Sequence, residues 1–340
     1  MAERCFFLDR SPGEVRGVVV LDGAPERLLL EREGDESPRL GAIYGGRVTE
    51  ASARLNLARI DLGNGQVGSL RLRGLATPPH EGQRLNVTVV AEPAGGKPAA
   101  LRLAEAQDDR QPGLLSPAPS VEARLRSLAG TAPIVEGELA REQADEAESA
   151  VLARRSLVEG GLALTVEPTQ ALTAVDVDLE ESGAALSVSQ ANLRALWHAA
   201  RLLRLKALAG LIVIDLIGFP KDRRRLLTAA AEAFAPDGPE TVIGALGQFG
   251  ALELAKPHLE QPLVERLLDP DGRPSARTVA LDLVRRLERQ GRFEPGRRLE
   301  AVCAPDVATL LRPLVLRLGP RFGVREAAGT GRQDTDIVFL

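Results

Sequence analysis

Cysteine is almost absent from this chain. Its 340 residues contain two, Cys5 and Cys303. They make no metal motif, and so low a count fits a reducing compartment better than a disulfide scaffold. Aromatic residues are scarce at 3%, so the core must rest on Leu, Val, Ile and Ala. Long hydrophobic runs are missing too. The most apolar stretch, "LAGLIVIDLIGF" (208–219), is too short and too acidic to span a bilayer. The opening residues, with Glu3, Arg4 and Asp9, lack the apolar centre of a secretory signal. The expected location is therefore the cytoplasm, with no membrane partner. Nor is there a large excess of charge: 43 Lys and Arg stand against 47 Asp and Glu, a net of −4. That balance gives no sign of nucleic-acid binding, but it leaves local patches open.

What is present is ordinary for a folded protein: 44% hydrophobic and 26% charged residues, in a length suited to two or three domains. Residues 1–37 read as short strands around a turn at "DGAPE". From 38 to 104 five short segments, "GAIYGGRVTEA", "LARIDLG", "VGSLRL", "QRLNVTVVAEP" and "AALRLA", are separated by Gly, Asn and Pro turn signals. Strands of that number and length suit an OB-fold barrel. The glycines of "GAIYGG" (41–46) lack the Gly-Lys-Ser/Thr ending of a phosphate loop and fit the barrel better. A polar, Pro-rich connector (107–120) leads to a stretch, 121–158, whose Glu, Arg, Ala and Leu predict helix.

Beyond 159 the pattern changes. "GLALTVEPTQALTAVDVD" predicts two strands around a Pro-containing turn. "SQANLRALWHAARLLRLKALAG" (189–210) predicts a helix capped by Ser189 and stopped by Gly210, with Leu193, Leu196, Trp197, Ala200, Leu203 and Ala207 as its apolar stripe. A strand (211–215), a helix (221–235) and two further segments (241–256, 263–269) follow. The tail predicts helix (275–290), strand (299–304), helix (305–318) and a last strand (335–340).

The acidic residues of "LTAVDVDLEE" (172–181) need explaining, because carboxylates are costly in a sheet unless paired. Asp176 is expected to end one strand and Asp215 another. On pattern alone they stand either as solvated strand ends or as a cation site. If they converge, a hard divalent ion relieves their repulsion, since Mg²⁺ is often held by one or two carboxylates plus water. "KDRRR" (221–225), at an expected helix start, offers Arg224 and Arg225 for phosphate positioning, or simply as a solvated face. Arg201, Arg204 and Lys206 fit the favourable end of their own helix. His198 and Phe249 read as packing residues.

Several blocks, taken in order, resemble the ribonuclease E/G family. "GGLALTVEPTQALTAVDVD" is similar to that family's Gly-Gly strand, Thr-Glu-Ala-Leu turn and Ile-Asp-Val/Ile-Asn strand. "ARLLRLKALAGLIVIDLIGF" resembles its Arg-rich helix and following Ile-Val-Ile-Asp-Phe strand, and "GQFGALEL" (247–254) its Ser-Arg-Phe-Gly segment. "GRPSARTVALDLVRRL" and "LEAVCAPDVATLLRPL" follow its later helices, and "GAIYGGRVTEA" the start of its inserted barrel. The resemblance implies an α/β protein. A DNase I-like catalytic domain (159–268) would carry an inserted OB-fold RNA-binding barrel (38–104). A reduced RNase H-like part would be built from 1–37 with the shortened segment 105–158, and a small C-terminal α/β domain would occupy 269–340.

The implied activity is metal-dependent endonucleolytic cleavage of single-stranded RNA, with Asp176 and Asp215 on the family's Mg²⁺ positions; Mn²⁺ is an allowed substitute. Asp178 falls where the family usually has Asn, which keeps an oxygen ligand and adds charge. Lys97 aligns with a basic position of the family's RNA channel. Arg59 and Ser69 stand where the barrel's stacking aromatics are expected. Two departures bear on the partners. "DPDGR" (269–273) replaces the zinc-binding Cys-Pro-x-Cys, so no structural zinc and no zinc-linked dimer are expected, and the oligomeric state is left open. No Arg-Thr pair of the family's 5′-phosphate sensor is found; "AGTAPIVEGE" (129–138) does not supply it. A catalytically inactive RNA-binding relative, or a regulatory subunit working through protein contacts, is the alternative.

Overall fold

The computed structural model describes residues 3–106, 110–158, 161–180, 186–219 and 222–340. Glu181 and Lys221, both named above, lie outside them. The chain begins with three antiparallel strands: β1 (Arg4–Ser11), β2 (Glu14–Leu21) and β3 (Ala24–Arg32). The barrel follows, made of β4 (Ile43–Ser52), β5 (Leu57–Gly63), β6 (Gln66–Arg71), β7 (Arg84–Ala91) and β8 (Ala99–Leu103). Its order β5-β6-β8-β7-β4 closes through a β4–β5 pairing and contains one parallel pair, β6–β8. This is an OB-like barrel. Strand β9 (Gly113–Ser116) adds to its edge on β4. Asn64 and Gly65 both take positive φ in the β5–β6 hairpin, as the Asn-Gly pair requires.

The stretch expected to be helical throughout is divided. Helix α1 (Val121–Ala129) is followed by β10 (Ile134–Glu136), α2 (Glu138–Leu152) and β11 (Arg155–Val158). Gly130 and Gly137, both at positive φ, make the breaks. "AGTAPIVEGE" is thus mostly the approach to β10, which pairs parallel with β1. The second large sheet contains β11, β12 (Leu162–Pro168), β13 (Thr173–Leu179), β14 (Gly210–Asp215), β15 (Val242–Leu246) and β16 (Ala251–Lys256), in the order β11-β12-β13-β14-β16-β15. Helix α3 (Val188–Leu205) connects the parallel pair β13 and β14, and α4 (Arg223–Phe234) follows β14. The short α5 (Leu263–Leu267) leads to a C-terminal unit of α6 (Ala276–Phe293), β17 (Leu299–Cys303), α7 (Pro305–Leu316), β18 (Phe322–Glu326) and β19 (Asp336–Phe339), with its own apolar core. Strand β18 is absent from the sequence reading because "FGVRE" is short and only half apolar.

Packing proceeds in layers. Phe6, Leu8, Val19 and Leu29 of the first sheet pack against α1, while Phe7, Val18, Val20, Leu28 and Leu30 face the other way. The second set meets Ala140, Ala144, Ala147 and Val151, a stripe of small residues along α2 that admits close approach. Helices α2 and α3 are therefore covered by the first sheet on one side. On the other they meet Leu162, Leu164, Val175, Val177, Ile212 and Ile214 of the second.

Burial of α3 between layers explains its cations. Arg201 donates to the Pro25 carbonyl at 2.6 Å, and Arg204 pairs with Glu26 at 3.0 Å and Asp237 at 2.7 Å. Lys206 donates to the carbonyls of Ala150, Val151 and Ala153 at 3.1, 2.6 and 2.6 Å. It therefore caps the C-terminus of α2, not that of its own helix. The N-cap of α3 is Ser187, which forms a reciprocal capping box with Gln190, rather than Ser189. Its buried face includes Leu196, Ala200 and Leu203, while Trp197 is 46% exposed. Among the described residues no helix is long and apolar enough to cross a membrane.

Candidate active site

Asp215 is the last residue of β14, as its sequence suggested. Asp176 is not at a strand end: β13 continues to Leu179 and pairs with β12 as far as Leu162. Its parallel neighbour β14 stops beside it. In that parallel ladder Asp176 is the register partner of Asp215. Neighbouring residues in register point to the same face of a sheet, so both carboxylates project together. Alternation fixes which face: Val175, Val177, Ile212 and Ile214 enter the core under α3 and α4, and Asp176, Asp178 and Asp215 take the opposite, exposed face.

The electrostatics follow from that placement. Partial burial, then the charges of Asp178 and Asp215, push the Asp176 carboxyl above the usual carboxylate range. Asp178, two residues along the same strand, shares that face. The arrangement concentrates negative charge. Among the described residues no three His, Cys, Asp or Glu side chains are gathered tightly enough to enclose an ion by themselves. A register pair of carboxylates on an open face instead suits a hard dication that keeps most of its water.

The surroundings are open. Two cavities of about 650 and 680 Å³ are lined by other residues, and the pair stands on an uncovered sheet surface where a polymer could lie. Two aromatic rings rise at the same edge. Phe219 lies four residues past Asp215 and is 78% exposed; Phe249, in the β15–β16 turn, is 74% exposed and stands two residues before Ala251, the antiparallel partner of Asp215. Phe249 is thus not a core residue. Its turn carries it past the end of the sheet, where nothing covers it. The loop after Asp215 is tied down by Asn192 of α3. This buried amide accepts from the Ile217 N–H at 2.9 Å and donates to the Ile217 carbonyl at 3.0 Å. Neither Phe219 nor Asn192 stands out in the sequence, where Phe249 reads only as packing. The only signal for Asn192 was a polar residue within an apolar helix face.

The remaining candidates are distributed. Arg59 is exposed on the outer surface of the barrel and lies opposite Ser69 in the β5–β6 ladder. The barrel's one aromatic residue, Tyr44, is buried. Between residues 38 and 104 nine Lys and Arg stand against four Asp and Glu, so the barrel is locally basic in an acidic chain. Lys97, exposed at the Ala94–Lys97 turn, acts electrostatically on His258. His258 in turn abuts Gly210 at the start of β14. Lys97 is therefore near the far end of the strand that carries Asp215, roughly 17 Å away at 3.3 Å per residue. Arg224 and Arg225 line a cleft between α3 and α4, on the helix side of the sheet rather than beside the carboxylates. Where zinc-binding thiolates would stand, 269–273 form a turn closed by Asp269 and Arg273, and Cys5 and Cys303 sit in separate cores.

An α/β protein with an OB-like barrel and a carboxylate pair on an open sheet face is the class these features define. Residues 114–259, which include both aspartates, match the Ribonuclease E/G family. The chain is 27% identical to ribonuclease E of Haemophilus influenzae over 177 residues, covering 48% of this chain and 19% of the relative. It is 25% identical to ribonuclease G of Escherichia coli K12 over 215 residues, covering 57% and 42%. Ribonuclease E of Buchnera aphidicola (strain APS) is 26% identical over 171 residues, covering 46% and 19%. Over residues 114–259 the chain is similar to the ribonuclease E/G family. It spans less than half the length of these relatives.

Proposed function

We propose that this protein is an endoribonuclease that hydrolyses phosphodiester bonds of single-stranded RNA, acting in the cytoplasm. The observation that carries the reading is the Asp176–Asp215 register pair on an exposed face, in a chain whose relatives bear the names ribonuclease E and G. In this reading the six-stranded sheet corresponds to the family's DNase I-like catalytic domain and the first sheet to its RNase H-like part.

Asp176 and Asp215 would hold a divalent cation, Mg²⁺ or Mn²⁺, and Asp178 would add its charge from along the strand. Once bound, such an ion supplies an activated water and neutralises charge developing on the phosphate. The protein's own contribution is geometric. Asn192 holds the loop that follows Asp215, so the second carboxylate keeps its aim. Phe219 and Phe249 offer rings on which bases flanking the scissile linkage can stack, a role the barrel cannot fill with its only aromatic buried. The basic barrel attracts the phosphate backbone, with Arg59 stacking or pairing on its outer face. Lys97 contacts the strand one β14 length from the cut.

The test is a gel of one end-labelled single-stranded oligonucleotide incubated with and without Mg²⁺. Internal cleavage that depends on the ion is expected. Failure of the unmutated protein to cut at any Mg²⁺ or Mn²⁺ concentration overturns the reading and leaves an RNA-binding relative.

A further inference from the structure

The cleft between α3 and α4 has a composition that folding does not account for. Trp197 is the only tryptophan in the chain, and it stands 46% exposed, turned away from the buried stripe of α3. Facing it, the first turn of α4 carries Arg223, Arg224 and Arg225 and no acidic residue. Cations at a helix N-terminus oppose the macrodipole and cost stability. Arg223 has a structural use, since its guanidinium donates to the Leu246 carbonyl. The side chains of Arg224 and Arg225 make no hydrogen bond or ion pair with any described residue. Asp222 also lines the cleft, but its carboxylate is committed to capping the Arg225 N–H at 3.1 Å. Glu232 lines the far end of the cleft, two turns further along α4. The cleft is open and shallow, with a volume of about 560 Å³.

We propose that this cleft is a second RNA contact. It takes one nucleotide of the strand that continues past the carboxylate pair, with the base against the Trp197 indole and the phosphate on Arg224 and Arg225. The inference rests on the endoribonuclease reading for its substrate and extends it to the other side of the sheet. Position supports it: α4 begins eight residues after Asp215, and exposed Phe219 lies on the way. A strand leaving the carboxylates over that edge meets an aromatic ring, then two unpaired guanidiniums at the positive end of a helix. Base stacking tolerates any sequence and Arg adds to it, so the contact would grip without selecting.

Trp197 makes the test label-free, because its emission reports on this cleft alone. The full chain is titrated with a single-stranded ten-nucleotide RNA at low salt, without divalent ions. Saturable quenching of Trp197 emission is expected. Arg224→Glu with Arg225→Glu should weaken that binding at least tenfold, whereas Arg297→Glu with Arg298→Glu, an equal charge change on the C-terminal unit, should not. Trp197→Leu, read by anisotropy of a labelled RNA, should lose several-fold in affinity. Circular dichroism checks that the variants fold. RNA that binds by anisotropy without quenching Trp197, RNA that fails to bind, or quenching by an acidic peptide but not by RNA, each overturns the proposal. Loss of cutting with quenching retained would sink the nuclease reading alone. Cutting without quenching would sink the cleft alone.

Discussion

Asp176 and Asp215, separated by the whole of α3 in sequence, are direct register partners in the parallel β13–β14 ladder and project from the same exposed face. Most of the chemistry proposed for the protein depends on that adjacency.

Replacing either aspartate by Asn should reduce Mg²⁺-dependent cutting by more than about 100-fold, the upper end of what outer-sphere changes cost at metal sites. RNA affinity measured without the ion should be retained. The same pair predicts a stability effect. Without a cation the carboxylates repel, so Asp176→Asn should raise Tm in metal-free buffer. Mg²⁺ should raise the Tm of the native chain and do less for the variant. Calorimetry with and without the ion checks both.

The exposed rings predict a loss confined to binding. Phe219→Ala and Phe249→Ala should each weaken single-stranded RNA binding by about 1–3 kcal/mol, the usual value of one stacked base. Tm should scarcely move, because 78% and 74% of these residues' surfaces are already in water. A large fall in Tm without change in affinity would return them to a structural role.

Asn192→Ala should untie the loop after Asp215. Two backbone groups of Ile217 lose their partner, at about 1–3 kcal/mol if they stay buried. The informative readout is kinetic: kcat should fall with KM little changed, and raising Mg²⁺ should restore part of the rate if the second ligand has merely lost its aim. An equal loss at every Mg²⁺ concentration would contradict that role.

Lys206 ties stability to alkaline pH. Burial pulls its ammonium down to about 8 from an ordinary value near 10.5. Below pH 8 both folded and unfolded chains hold the proton. Between about 8 and 10.5 the unfolded chain binds more protons, so this group's contribution rises with pH and is complete above that window. Urea unfolding at pH 7.5, 9 and 10 should therefore show the native chain gaining on Lys206→Met. At every pH the variant leaves the last carbonyls of α2 without their donor.

Much was legible in the sequence because it is local. Alternation and turn residues gave the barrel strands. Apolar spacing gave α3, α6 and α7, and the ordered blocks gave the family resemblance. Boundaries set by competition between neighbouring residues were less legible: Ser187 took the cap from Ser189, and two glycines split what composition alone made one helix.

What only the tertiary structure decided was the company each side chain keeps. The order of residues determined that Asp176 and Asp215 lie on strands; the register of a parallel ladder decided that they meet. Arg204 and Lys206 looked like helix-end cations until layering buried them against Glu26, Asp237 and the end of α2. Trp197 and Phe249 looked like core until packing left them in water. Periodicity fixes which face a residue takes, but not which element covers that face. That outcome is settled by contacts between segments far apart in the chain.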